Sequence, residues 1–180
     1  MEWRLGLPAW IVQDGNYTDV RRGDRVEAAV EIAFTQPPQI VEATTPSARH
    51  VDDTTYDVVG RLLVIEADAT VIDIGISVYC ETAPLKGASV GDFVAGRVYL
   101  GFDPFTYLEQ LAKRASVPPL IYTWQVLDVA RENAEGASTA IDHTDVWHDD
   151  DGHADYTLRC VLLDEPPKRV RVAELGVTTP

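Results

Sequence analysis

The residues best suited to chemistry are concentrated in one stretch, HTDVWHDDDGHAD, running from His143 to Asp155. It holds three of the chain's four histidines, one of its four tryptophans and five aspartates, with no lysine or arginine. Imidazole and carboxylate are zinc ligands, so His143, His148 and His153 with Asp155 form one candidate centre, and a bound water would then be the nucleophile of a hydrolase. Successive histidines are five residues apart, which sets them about 140° apart on a helix and on opposite faces of a strand, so only a loop can converge them. Neither an H-E-x-x-H pattern nor a cysteine pair accompanies them. Calcium fits less well. With Gly152 at the glycine of an EF-hand loop, Asp149 and Asp151 take the third and fifth positions, but Trp147 and Leu158 fall at the first and twelfth, where carboxylates are required.

The second chemistry open to this stretch is recognition. Between Glu132 and Leu158 stand eight acidic residues and no basic one. Trp147 lies among Asp145, Asp149, Asp150 and Asp151, an aromatic anchor in an acidic rim that suits a basic protein partner, since charge steers encounter and the ring supplies burial. A third reading is a solvated connection in which Trp147 folds back onto the protein.

Net charge bears on the choice. The chain has 180 residues with 15 basic and 29 acidic side chains, a formal charge of −14. Affinity for DNA or RNA comes largely from lysine and arginine displacing counterions, so a general nucleic-acid binder is disfavoured and a cationic protein fits better. The same charge also serves solubility alone. Other motifs carry little. RRGD at Arg21–Asp24 reads as a turn into a strand, and Asp52 and Asp53 beside His50 read as a turn in a threonine-rich loop rather than an acid/base group. The sequence has no nucleophile elbow, phosphate loop or dinucleotide fingerprint. The start MEWRLGLPAWIVQDG lacks a basic segment followed by a long apolar run, and no later run has bilayer-spanning length, so a cytoplasmic protein without membrane contact is expected.

The elements that must position these residues are mostly strands, because alternation of period 2 dominates. In DRVEAAVEIAFT, Val26, Ala28, Val30, Ile32 and Phe34 take one face and Arg25, Glu27, Glu31 and Thr35 the other. Residues 24–35 therefore predict an N-terminal strand, and the proline-bearing segment 36–56 a long connection with a short extended piece at Gln39–Ala43. DVVGRLLVIEAD predicts a strand apolar on both sides. TVIDIGISVYCE predicts the next, with Ile72, Ile74, Ile76, Val78 and Cys80 inward, and DFVAGRVYLGF a third, bent at Gly96 and Gly101. The period then changes. DPFTYLEQLAKRA predicts a short helix with Asp103 as N-cap, Pro104 at its first position and Phe105, Leu108, Leu111, Ala112 and Ala115 at helical spacing, ended by SVPP. LIYTWQVLDVA and ADYTLRCVLLD predict two more strands, and KRVR lies in the tail. Cys80 and Cys160 both fall on apolar strand phases, as buried free thiols would.

Strand, strand, strand, helix, strand, strand is the element order of an OB-fold, a five-stranded Greek-key barrel. The expected architecture is thus mainly β: an OB-like barrel core over 57–164 with an extra N-terminal strand, one short helix and a tail at 165–180, all in a single domain over 1–180. Within it, VVGRLLVIEADATVIDIGISVYCE followed by VGDFVAGRVYL resembles the first three strands of an S1-type RNA-binding domain, through the glycine after an aspartate in strand two and the Gly-Asp turn before strand three. The resemblance covers residues 57–103 only. S1-like surfaces present aromatic and basic residues to RNA, whereas the outward set here is Val71, Asp73, Gly75, Ser77, Tyr79 and Glu81, so the likeness implies a fold and not the function. The expected role is a non-catalytic acidic binding module without a cofactor, engaging a cationic protein through residues 132–155, one version being a neutralising partner of a basic toxin. The competing expectation is the zinc hydrolase.

Overall fold

The computed structural model describes residues 1–13, 19–81, 86–103, 105–132, 138–144 and 155–164. Its strands are β1 (Glu2–Pro8), β2 (Arg25–Phe34), β3 (Gln39–Val41), β4 (Ser47–Asp52), β5 (Thr55–Ile65), β6 (Thr70–Asp73), β7 (Ser77–Cys80), β8 (Phe93–Asp103), β9 (Tyr122–Glu132), β10 (Ser138–Ile141) and β11 (Asp155–Asp164). They form a closed barrel of eight strands, in the order β9, β11, β1, β8, β5, β6, β7, β2 and back to β9. β2 and β8 also pair with each other, from Ala29 opposite Asp103 to Phe34 opposite Val98. The long strand β8 can serve both roles because it pairs with β5 over Phe93–Tyr99 and reaches β1 at Gly101, while Val98–Asp103 pair with β2.

The ring replaces the five-stranded OB arrangement. In that scheme the strands of 57–164 close on themselves. Here β9 closes on β2, and β11 takes β1 as its second neighbour over seven residue pairs, from Glu2 opposite Val161 to Pro8 opposite Asp155. β1 obeys the same alternation as the others. Trp3, Leu5 and Leu7 are buried, while Glu2 and Arg4 are exposed. Its apolar face supplies what closure needs, a strand that completes the inner core beside Tyr56, Val98, Leu100, Trp124 and Leu158.

The stretch TVIDIGISVYC is a tight hairpin rather than one strand. Gly75 adopts φ +105°, the Ile74 N–H donates to the Ile76 carbonyl (2.9 Å) and the Gly75 N–H to Asp73 Oδ1 (2.9 Å). Alternation runs unbroken through so short a turn, which is why the period alone hides the reversal. The residues expected inward are all buried, but so are Val71 and Tyr79 on the other phase. Those two, with Ala29 and Ala69, form a second apolar cluster outside the barrel, covered by Tyr107, Leu111, Val117 and Leu120.

That cover is the segment expected to be an α-helix. The N-cap position falls at Thr106 rather than Asp103, but Asp103 still holds the start of the segment, accepting from the N–H groups of Phe105, Thr106 and Tyr107 at 2.8 to 3.1 Å. The helix itself is a five-residue π turn, Tyr107–Leu111, in which the Ala112 N–H reaches the Tyr107 carbonyl (2.7 Å), and Leu108 faces solvent. The wider turn fits a local demand: the Tyr107 hydroxyl donates to the Pro118 carbonyl (3.1 Å) and accepts from the Leu120 N–H (2.9 Å), folding the proline-ended segment back over the sheet. Arg114 then fastens it to Glu66 and Asp68 beyond β5.

Cys80 and Cys160 are buried and not joined in a disulfide, and burial pushes the Cys160 thiol up to about 12. No described helix is long and apolar enough to cross a membrane.

Candidate functional site

Of the residues singled out from sequence, Asp145, Trp147, His148, Asp149, Asp150, Asp151 and His153 lie outside the described residues. His143 is described, as an isolated antiparallel bridge partner of Arg21, next to Thr144, whose Oγ1 accepts from the Val20 N–H (2.8 Å). Asp155 opens β11 opposite Pro8. Among the described residues no group of three or more histidine, cysteine, aspartate or glutamate side chains could hold a metal ion.

The described structure offers a different site: a groove of about 790 Å³ on the outer face of β1, β2 and β8, within the size range of small-ligand sites. Register explains why it exists. Tyr79 of β7 lies beside Glu31 of β2, Glu31 opposite Gly101 of β8, Gly101 opposite Gly6 of β1, and Gly6 opposite Thr157 of β11. Neighbours in such a row share a face. The two glycines therefore leave a floor of bare backbone, at the place where β1 and β8 touch through a single bridge.

The β4–β5 turn forms the lip. Asp52 and Asp53 do make a turn, as expected. Asp53 sits at φ +40°, a left-handed conformation that aspartate tolerates better than most side chains. Four contacts hold it. Its N–H donates to Asp52 Oδ1 (3.0 Å), its Oδ1 accepts from the Thr157 hydroxyl (2.7 Å), its carbonyl lies 2.9 Å from His50 Nε2, and the carbonyl of Thr54 beside it accepts from the Leu100 N–H (3.0 Å). Opposite walls are Tyr99, 54% exposed, and Arg4.

Glu31 is the electrostatic centre of the groove. It stands where the outer face passes from the cover over Tyr79 to open groove, and it is only partly exposed. Burial pushes its carboxyl up to about 7, with repulsion from Glu81 and Asp103 adding to the effect. The Tyr79 hydroxyl is fully buried beside these carboxylates, with no well-formed hydrogen bond among the described residues. Burial and then Asp103 hold its pKa well above the ordinary value. Carboxylates, an exposed ring and a side-chain-free floor are suited to receiving a cation.

Sequence reasoning placed Glu31 on the solvent face of its strand and read Gly101 only as a bend. Gly6 and Arg4 went unread because β1 was not recognised, although the alternation of Trp3, Leu5 and Leu7 against Glu2 and Arg4 carried that signal. No family model matches the chain, and neither a curated protein nor a solved structure matches it.

Proposed function

We propose that this β-barrel is a non-catalytic binding module for a cationic protein. The observation that carries the reading is the excess of carboxylates at the glycine-floored groove, where Glu31, Asp52 and Asp53 outnumber Arg4 in a chain of net charge −14. The acidic segment 132–155 is the second part of the proposed contact; of its described residues, Ser138 lines the groove and Asp155 pairs with groove-lining Pro8. Trp147, Asp145, Asp149, Asp150 and Asp151 are the proposed contacts there. The setting is proposed to be the cytoplasm, where Cys80 and Cys160 remain thiols, and polyanions are the disfavoured ligand class.

The test is calorimetric titration with a defined lysine- and arginine-rich peptide, with an acidic peptide of equal length as control. Binding of the basic peptide alone is expected, weakening as salt is raised. Trp147→Ala combined with reversal of Asp149, Asp150 and Asp151 to lysine should reduce affinity at least tenfold. Equal binding of both peptides, or none of either, rejects the reading.

A further inference from the structure

We propose that the groove over the Gly6–Gly101 bridge is a subsite for one lysine side chain of the cationic partner, its stem lying on the glycine floor beside Tyr99 and its ammonium ending at Glu31. This rests on the binding-module reading and adds to it a place, a ligand group and a proton linkage.

Three observations converge on the floor, the wall and the end of the subsite. A Cβ at Gly6 would stand 3.6 Å from the Leu100 carbonyl oxygen and 3.7 Å from Thr54 Cγ2, and one at Gly101 3.4 Å from the Gly6 carbonyl oxygen, so side chains here would occupy the groove without overlapping the fold. Neither glycine has a positive φ that would require it to be glycine. The space is therefore kept open without a backbone reason. Tyr99 stands beside it with half its surface exposed, and an aromatic face next to an alkyl ammonium contributes both stem contact and cation–π attraction. At the end stands Glu31, with the buried Tyr79 hydroxyl behind it.

The charges facing Glu31 favour an incoming cation. From β7 and the residue after it come Tyr79 and Glu81, and from β8 Asp103. Across the groove stand Asp52 and Asp53 on the turn and Arg4 on β1, the single cation of the lining among the described residues. Asp103 already accepts three backbone N–H groups, Asp53 the Thr157 hydroxyl and Asp52 the Asp53 N–H, and Glu31 is the lining carboxylate that stands opposite Gly101 at the glycine floor, placed to meet the ammonium. Docking favours the ionised form, so binding releases the Glu31 proton to the buffer. Affinity then rises with pH, by about tenfold from pH 6 to pH 8 for a carboxyl near 7.

The experiment is an NMR titration following the Gly6 and Gly101 amide signals, with a blocked glycine-lysine-glycine tripeptide and the counterpart carrying norleucine in place of lysine. The lysine peptide is expected to shift both signals and bind at least tenfold more tightly at pH 8 than the norleucine peptide, with the gap closing by about tenfold at pH 6. Gly6→Val should abolish the difference, and Glu31→Gln, which keeps the side-chain shape, should remove its pH dependence. If the basic peptide of the preceding test binds but the lysine tripeptide shows no preference, or a preference unaltered by both variants, the subsite is refuted while the module reading stands. If neither binds, both fall.

Discussion

Replacing Glu31 by glutamine should make the protein more stable at alkaline than at acid pH relative to the parent chain. The folded protein holds the Glu31 proton more tightly than the unfolded chain does, since burial raises the carboxyl from its ordinary 4.5 to about 7. Its contribution is fully present below about 4.5 and is lost as pH rises through about 7. At full strength that rise corresponds to about 3 kcal/mol. Glu31 is only partly buried, and screening by solvent reduces the figure to about 1–2 kcal/mol. Urea denaturation of both proteins at half-unit steps from pH 5 to pH 8 isolates the effect, because every other titrating group is common to the two. The difference in unfolding free energy should move by about 1–2 kcal/mol in favour of the glutamine variant as pH rises. A difference that is constant across the range would refute the placement of Glu31 among Glu81, Asp103 and the covered face.

Two further expectations concern the frame around the groove. A Cβ at Gly60 would overlap Cγ2 of Ile72 and stand 3.0 Å from that of Ile74, so Gly60→Ala should cost about 1–3 kcal/mol through overpacking, read as a lowered urea midpoint. Tyr107→Phe removes the acceptor of the Leu120 N–H, a buried group, and should cost about 1–3 kcal/mol with faster amide exchange confined to 105–120; an unchanged exchange pattern would contradict the role given to that hydroxyl.

How much of this was legible follows from the range of the interactions involved. Apolar patterning identified β2, β5, β8, β9 and β11, and in β9 and β11 alternate residues, Tyr122, Trp124 and Val126 and then Tyr156, Leu158 and Cys160, are buried, because a strand's own residues record which face is inward. Pairing partners are not recorded that way. The OB-like order followed from element sequence, and it failed where β1 and β2 entered the ring. β4, from Ser47 to Asp52, carries little apolar alternation because almost all of it is exposed at a sheet edge, so it read as connection. The groove was least visible. Glu31 resembles any solvent-facing strand carboxylate until β7 is laid beside it and the 105–120 segment covers Tyr79. The residues with the strongest chemical signature, from Asp145 to His153, lie outside the described residues.

The pairing of β1 with β11 also sets a clock. Glu2 meets Val161 and Pro8 meets Asp155, so the first strand leaves the ribosome with Trp3, Leu5 and Leu7 ready for burial and waits for a partner some 150 residues later. At ordinary synthesis rates that wait is on the order of ten seconds. Until it ends, the β1 edge and the matching edge of β9 are open to any other strand. The ring closes only after translation of β11, and it folds slowly because its closing contacts span nearly the whole described chain. An acidic chain suits that interval: copies that repel one another are less able to pair through unfinished edges.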